Sequence, residues 1–216
     1  MDRAHHLGEP VIEVLLPKGG RGRGVLLAHA WWGLNQTVRD YGAALAREGF
    51  VVGLVDFFDG QVAHTIEGAE ALASKEWPMP ARDHLKRGIK ELAKHPAVEG
   101  GKVGAVGFSY SGFALFGLAS HDELPLGGIV IYYATRSVAK AKVPLLVHFA
   151  ETDAFESTED MKEVSDALAA LGAPSAAYTY QDTAHWFAEP DRPEYREATA
   201  ALAFERTVGF LMRVLA

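Results

Sequence analysis

The chain has 216 residues, of which 49% are hydrophobic and 23% are charged, and it carries a formal net charge of −7 with no cysteine. This length fits one sizeable domain over residues 1–216, and the acidic balance excludes a basic surface for nucleic acid or anionic lipid. The lack of cysteine excludes disulfide bonds, thiolate metal sites and a cysteine nucleophile.

Short apolar runs alternate with helical patterns along the chain, and no repeat or linker interrupts them. Residues 11–17 alternate like a partly exposed strand, whereas 24–30 and 50–58 are typical of buried strands. A helical pattern over 37–48 ends at Gly49, a common helix C-terminus. Further strands are predicted at 102–108, 127–133, 144–150 and 175–181, and further helices at 66–75, 81–95, 110–120, about 157–171 and about 193–214, with Pro78 and Pro80 separating the first two of these helices.

These elements predict an α/β fold. Strands rich in Val, Ile and Leu that show no clear alternation, each separated from the next by a helix, are typical of a mostly parallel sheet with helices on both faces. Ligands of such sheets bind beyond the carboxyl ends of the strands. The residues that directly follow each strand are therefore the first candidates for a functional site.

The remaining features predict a soluble, cytoplasmic protein without a metal or other cofactor. The first ten residues, MDRAHHLGEP, lack the apolar stretch of a secretory signal, and the longest apolar runs, such as 143–150, are too short to cross a bilayer. Nine histidines, His5 and His6 among them, show no HExxH spacing and no other compact ligand cluster. The oligomeric state stays open, with a monomer favoured.

The segment GFSYSG, residues 107–112, joins a predicted strand to a predicted helix. A Gly-x-Ser-x-small turn in this place resembles a nucleophile elbow, which would project Ser109 above the sheet and direct the backbone N–H of Tyr110 at a developing oxyanion. Ser111 stands where the simplest form of the motif has glycine. The structural alternative is that Ser109 only begins the helix, since serine is favoured at helix N-termini.

Two more strand ends carry residues that such a serine would need. Asp153 follows the strand that ends near 150, and His185 follows the strand that ends near 181. A serine hydroxyl needs a base to accept its proton, and the base needs a carboxylate that fixes its tautomer. The rivals are Glu151, Glu156 and Asp182 for the acid, and His148, which lies inside an apolar strand, for the base. Taken alone, Asp153 could be a capping residue and His185 a half-buried structural histidine.

The joint pattern favours catalysis, because nucleophile, acid and base occur in the order Ser, Asp, His that α/β-hydrolases use. A second oxyanion donor is expected in the loop HAWWGLN, residues 29–35. The backbone N–H of Trp31 is the candidate, with Ala30 as its rival. The indole of Trp32 is expected either to wall the pocket or to pack in the core.

Most of the chain resembles the dienelactone hydrolase family, a compact branch of the α/β-hydrolases without a separate cap domain. The resemblance rests on HAWWGLN, GFVVGLVDFFDG, KVGAVGFSYSG, VHFAETDAF and the segment from HWFAEPDRPEYREATA to the C-terminal helix. It implies that Ser109 is the nucleophile, Asp153 the acid and His185 the base. It also implies that the backbone amides of Trp31 and Tyr110 form the oxyanion hole.

The sequence departs from the family at three positions, two of which concern the nucleophile and one the substrate. The enzymes that give the family its name have cysteine at the position of Ser109, a glutamate at that of Ala30, and an arginine that binds the substrate carboxylate at that of Glu189. A serine hydroxyl stays neutral without the glutamate. An anionic dienelactone, however, would meet a negative charge at Glu189 in place of a bidentate partner, so dienelactone is not expected as the substrate.

The sequence therefore predicts a serine hydrolase that cleaves small carboxylic esters or lactones through an acyl-enzyme. Trp32, Trp186 and Glu189 are the candidate substrate-pocket residues. The alternatives are a thioesterase or small-amide hydrolase with the same acyl-transfer chemistry, and a non-catalytic binding protein on the same fold. Neither nucleic acid nor a membrane is expected as a partner.

Overall fold

The computed structural model describes residues 12–76, 79–138 and 140–216. Strands and helices alternate along this described part of the chain, as the hydrophobic pattern predicts. The strands are β1 (Ile12–Leu15), β2 (Gly22–Ala28), β3 (Val51–Val55), β4 (Val98–Phe108), β5 (Leu126–Tyr132), β6 (Leu145–Thr152) and β7 (Ala176–Ala184). The helices are α1 (Gln36–Arg47), α2 (Ile66–Glu76), α3 (Met79–Ala93), α4 (Tyr110–Phe116), α5 (Thr158–Leu171) and α6 (Glu197–Val214).

The seven described strands form one sheet in the order β1-β3-β2-β4-β5-β6-β7. Every neighbouring pair is parallel except β1 with β3, which is antiparallel and lies at the sheet edge. The prediction of a mostly parallel α/β sheet is confirmed. Because β2, β4, β5, β6 and β7 are parallel, their carboxyl ends lie along the same edge of the sheet.

Helices cover both faces of this sheet. On β2, Val25 and Leu27 pack in one core with residues of α1 and α6, whereas Leu26 and Ala28 pack in the other core with residues of α3 and α5. All four side chains are at most 1% exposed. Burial on both faces explains why this strand is a continuous apolar run without polar alternation.

Several elements are shorter or longer than predicted, among them α4, which ends at Phe116 and not at 120, and for two of the others the reason is clear. Strand β4 begins at Val98, four residues before its apolar run, because Val98 and Glu99 pair with β2 ahead of a register shift. Helix α6 begins at Glu197, not near 193, because the preceding residues form turns. The backbone N–H of Arg196 donates to the carbonyl of Phe187 at 2.9 Å, which ties the start of α6 to the segment after β7.

Some sequence-based expectations fall on residues that the structure does not describe. Residues 1–10, with His5 and His6, and Pro78 lie outside the described ranges. Within those ranges, no group of three or more His, Asp or Glu residues could hold a metal ion. Among the helices of the described residues, none combines the length and the hydropathy that a membrane-spanning helix needs.

Candidate active site

Strands β6 and β7 bring Asp153 and His185 together. Thr152 and Ala184 are register partners, and each is followed directly by one of these two residues. The carboxylate of Asp153 contacts His185 Nδ1 through both oxygens, at 2.8 and 2.7 Å. The two side chains are 0% and 4% exposed, so the pair is shielded from water. A buried carboxylate on Nδ1 fixes the imidazole tautomer whose Nε2 can accept a proton.

Further contacts hold both partners in place. Asp153 Oδ1 accepts hydrogen bonds from the backbone N–H groups of Phe155, at 2.9 Å, and Glu156, at 3.1 Å. The rings of Tyr133, Phe155 and Trp186 surround the imidazole of His185, with ring centroids 4.7 to 5.1 Å from its own. Polar contacts thus fix the acid, and aromatic packing limits the rotation of the histidine.

Ser109 stands on a tight turn between β4 and α4. Its backbone has φ 48° and ψ −107°. Residues other than glycine rarely adopt a positive φ. Its Oγ lies 2.9 Å from His185 Nε2. Although Ser109 precedes the first residue of α4, its side chain makes no capping hydrogen bond to this helix within the described structure. Ser109 is therefore not a helix-capping serine, which was the structural alternative.

Two glycines make the tight turn possible. A Cβ on Gly107 would lie 2.7 Å from Leu115 Cδ1 and 2.9 Å from the backbone nitrogen of Gly112. A Cβ on Gly112 would lie 3.0 Å from Ile131 Cγ2. At Gly107 the helix packs too closely against the end of the strand for a side chain, whereas at Gly112 the side chain of Ile131 would have to shift slightly.

Ser111, at the position of the motif's third small residue, connects two strands. Its buried hydroxyl accepts a hydrogen bond from the backbone N–H of Phe108 at 2.9 Å and lies 3.0 Å from the carbonyl of Ala28, to which it donates. Ala28 ends β2, and the loop that contains Trp31 starts directly after it. The hydroxyl therefore ties the elbow to the loop that carries the second candidate oxyanion donor.

A cleft of about 340 Å³ opens beside Ser109. Trp31 and Tyr110, the two residues whose backbone amides are candidate oxyanion donors, line this cleft together with Ser109. Ala30, the rival of Trp31, is 1% exposed and is not among the described lining residues. The described lining residues are Trp31, Glu70, Ala73, Ser74, Ser109, Tyr110, Phe113 and Glu156.

The structure corrects the pocket assignment of Trp32 and Trp186. Neither is among the described residues that line the cleft, and both are buried. Their indoles pack on each other with centroids 5.3 Å apart, and the guanidinium of Arg192 covers the ring of Trp32 at 4.1 Å. These two indoles pack against other side chains, and of the described tryptophans only Trp31 lines the cleft.

The structure also corrects the expectation that Glu189 meets the substrate. Its side chain is 3% exposed and lies in the wall of a separate cavity of about 430 Å³, beside Tyr41, Phe108 and Phe204. Burial raises the pKa of Glu189 to about 8. At neutral pH this carboxyl is therefore mostly protonated, and an anionic substrate in the cleft would not meet its charge.

Glu189→Gln is expected to stabilise the protein increasingly as pH rises. A pKa raised from 4.5 to about 8 means that this carboxyl supports folding fully below pH 4.5 and loses that contribution as pH rises to 8. Glutamine stays neutral throughout, so the free energy of unfolding should exceed that of the wild type by about 5 kcal/mol at pH 8.5. Urea denaturation at pH 5 and 8.5 measures the difference, with the exposed Glu205→Gln on α6 as control. Equal pH dependence in both variants would contradict the expectation.

The rival candidates have other environments. His148 is fully buried in β6, where Nδ1 lies 2.8 Å from the Tyr180 hydroxyl and Nε2 lies 3.1 Å from Thr207 Oγ1. Burial lowers the pKa of His148 to about 3, as befits a neutral structural histidine. Glu151 accepts a hydrogen bond from the backbone N–H of Asp182 at 2.9 Å, and both residues are exposed.

Glu156 is the rival acid that does reach the site. It lies in the loop between β6 and α5 and lines the cleft, but its hydrogen-bond partner is the hydroxyl of Thr135, not His185. Glu70, Ser74 and Phe113 also line the cleft, and sequence analysis did not single them out. These residues lie within helices, where the sequence pattern does not distinguish a cleft-lining side chain from any other.

Comparison with known proteins agrees with this fold. The model of the dienelactone hydrolase family matches residues 13–215. Protein usf of Aquifex pyrophilus is 26% identical over 94% of this chain and 92% of its own length. Carboxymethylenebutenolidase of Pseudomonas putida is 25% identical over 87% of this chain and 84% of its own length.

Solved structures show the same architecture. The dienelactone hydrolase-like promiscuous phosphotriesterase P91, from metagenomic libraries, superposes with a TM-score of 0.80 at 21% identity, over 94% of this chain and 92% of its own. Esterase 2 of the planctomycete Thermogutta terrifontis, with propionate bound, reaches 0.65 at 13% identity, over 94% and 89% of the two chains. These likenesses concern the fold. Since the family model spans nearly all of the sequence, the chain belongs to the dienelactone hydrolase family.

Proposed function

We propose that the protein hydrolyses small carboxylic esters or lactones through an acyl-enzyme on Ser109. Membership of the dienelactone hydrolase family makes the chain a carboxylic ester hydrolase. The observation that carries the serine mechanism is the unbroken series of contacts from Ser109 Oγ to His185 Nε2, at 2.9 Å, and from His185 Nδ1 to Asp153, at 2.7 Å. This series has the geometry that a serine needs to lose its proton during attack.

The acylation step uses all three side chains. Ser109 Oγ attacks the ester carbonyl carbon while its proton passes to His185 Nε2, and Asp153 stabilises the imidazolium that forms. The carbonyl oxygen becomes an oxyanion, for which the backbone N–H groups of Trp31 and Tyr110 are the proposed donors. Collapse of the tetrahedral intermediate breaks the bond to the alcohol oxygen, which leaves with the proton from His185.

Deacylation reverses these roles with water. His185 takes a proton from a water molecule as its oxygen attacks the acyl carbon, and the second tetrahedral intermediate expels Ser109 Oγ. The proton on His185 returns to Ser109, and the carboxylic acid is released. With a lactone, the alcohol and the acid are parts of one product.

A fluorophosphonate probe tests the proposal directly, since it reacts with serine nucleophiles that an adjacent base activates. We expect one label per chain, located by peptide mapping on Ser109, and a proportional loss of p-nitrophenyl acetate hydrolysis. Denatured protein is the control and should remain unlabelled. A label on another residue, or full hydrolysis after complete labelling, would refute the mechanism.

A further inference from the structure

The lining of the cleft beside Ser109 has a distinct charge pattern. Among the described residues that line it, Glu70 and Glu156 are acidic and none is basic. Three aromatic residues, Trp31, Tyr110 and Phe113, line the same space. Aromatic faces and carboxylates both attract cations, and carboxylates repel anions.

Glu156 is the better placed of the two acids. It is partly buried, and the hydroxyl of Thr135 donates a hydrogen bond to its Oε2, which fixes the side chain. Because the side chain is partly buried, salt screens its charge less than it would screen an exposed charge. Burial also raises the pKa of Glu156 to about 7, so it is mostly ionised at pH 8. Glu70 lies on α2 and is exposed, so its field in the cleft is weaker.

One cation, Arg136, contacts a lining residue from outside the cleft. The guanidinium of Arg136 lies 4.7 Å from the ring centroid of Phe113 and donates to the Phe113 carbonyl at 3.5 Å. Arg136 lines two other cavities and is not among the described lining residues of the cleft. Among the described lining residues, a ligand beside Ser109 would therefore meet two acidic side chains and no cation.

We propose that the cleft, through Glu156 and Glu70, selects esters that carry a cationic group, such as a quaternary ammonium, over neutral esters, and neutral esters over esters that carry a carboxylate. This inference rests on the proposed function, because it names the substrate class of the same site. It reverses the charge preference of a site that binds a carboxylate with arginine.

Three acetate thioesters of similar size test the charge preference at pH 8. Acetylthiocholine is cationic, 3,3-dimethylbutyl thioacetate is its neutral analogue, and S-acetyl-3-mercaptopropionate is anionic; the released thiol reports each rate. We expect kcat/KM for the cationic ester to exceed that for the neutral one on the order of 10-fold, and the anionic ester to be poorer again by a similar factor. At 0.5 M NaCl both ratios should shrink, because salt screens the carboxylates.

Variants then assign the preference to its residues. Glu156→Gln keeps the size of the side chain and an acceptor for Thr135, and it should lower the cationic-to-neutral ratio about 5-fold. Glu70→Gln should lower it less, since Glu70 is exposed. The matched control is Glu67→Gln, an exposed acid of the same helix outside the cleft lining, which should leave the ratio unchanged.

The outcomes separate this inference from the proposed function. Equal kcat/KM for the three esters, or an unchanged ratio in Glu156→Gln, would overturn the charge preference and leave the serine mechanism intact. Hydrolysis of none of the three thioesters would overturn the charge preference, and if Ser109 also carried no fluorophosphonate label, the proposed function would be overturned with it. If Glu156→Gln does not fold, the ratios and salt dependence of the wild type decide the matter.

Discussion

Ser109→Ala is expected to lower kcat for p-nitrophenyl acetate about 10³-fold or more without lowering the free energy of unfolding measurably. Alanine removes the hydroxyl that lies 2.9 Å from His185 Nε2, and triad members act as a unit, so the remaining rate would come from the oxyanion donors and binding alone. The free energy of unfolding should stay unchanged for two reasons. The hydroxyl makes no capping bond, and a φ of 48° is as unfavourable for alanine as for serine. Steady-state kinetics and urea denaturation measure the two quantities.

Ser157 provides the matched control, because it is a serine that does cap a helix. Its Oγ accepts a hydrogen bond from the backbone N–H of Asp160 at 3.0 Å, at the start of α5. Ser157→Ala should therefore lower the free energy of unfolding by about 1 kcal/mol and keep kcat within about 2-fold of the wild type. If Ser109→Ala instead lost stability and kept its activity, the capping interpretation of Ser109 would be right.

Asp153→Asn is expected to lower kcat at neutral pH by about 10³- to 10⁴-fold. The carboxylate now accepts from His185 Nδ1 and from two backbone N–H groups. An amide in its place can present an N–H to Nδ1, which favours the wrong tautomer, and it cannot stabilise the imidazolium by charge. Hydrolysis of p-nitrophenyl acetate across a range of pH measures the loss.

Glu151→Gln is the control for this second variant. Glu151 was the acid nearest to Asp153 in sequence, and its Oε2 accepts a hydrogen bond from Asp182, which a glutamine oxygen can also accept. We expect near wild-type kcat from it. If Glu151→Gln lost most of its kcat and Asp153→Asn lost little, Glu151 and not Asp153 would be the catalytic acid.

The sheet and the convergence of the three strand ends could be predicted because each depends on local pattern and simple topology. The run from Val25 to Ala28 is apolar at every position, which requires burial on both faces and therefore a parallel sheet with two helical layers. Once the sheet is parallel, Ser109, Asp153 and His185 must emerge at one edge. Their order along the chain then distinguished them from scattered polar residues.

The walls of the cleft could not be predicted in the same way, because they depend on which side chains reach one space from distant elements. Glu189 is four residues from His185, yet it faces a different cavity, whereas Glu70 comes from α2 and faces the cleft. Nothing in the sequence indicates that Thr135 holds Glu156. These contacts depend on how long side chains pack, and the period of the hydrophobic pattern carries no information about that packing.

The hydroxyl of Ser111 has a consequence for the engineering of this enzyme. Ala28 and Gly107 are the last backbone partners of β2 and β4. Beyond them, the hydroxyl accepts from the Phe108 N–H and donates to the Ala28 carbonyl, so it bridges the two strands where no backbone pair does. One oxygen atom thus connects the two strand ends, next to the segments that carry Trp31 and Tyr110. Because Ser109, His185 and Asp153 contact one another through other atoms, a substitution of Ser111 is expected to alter the spacing of the two strand ends without removing any contact among those three residues.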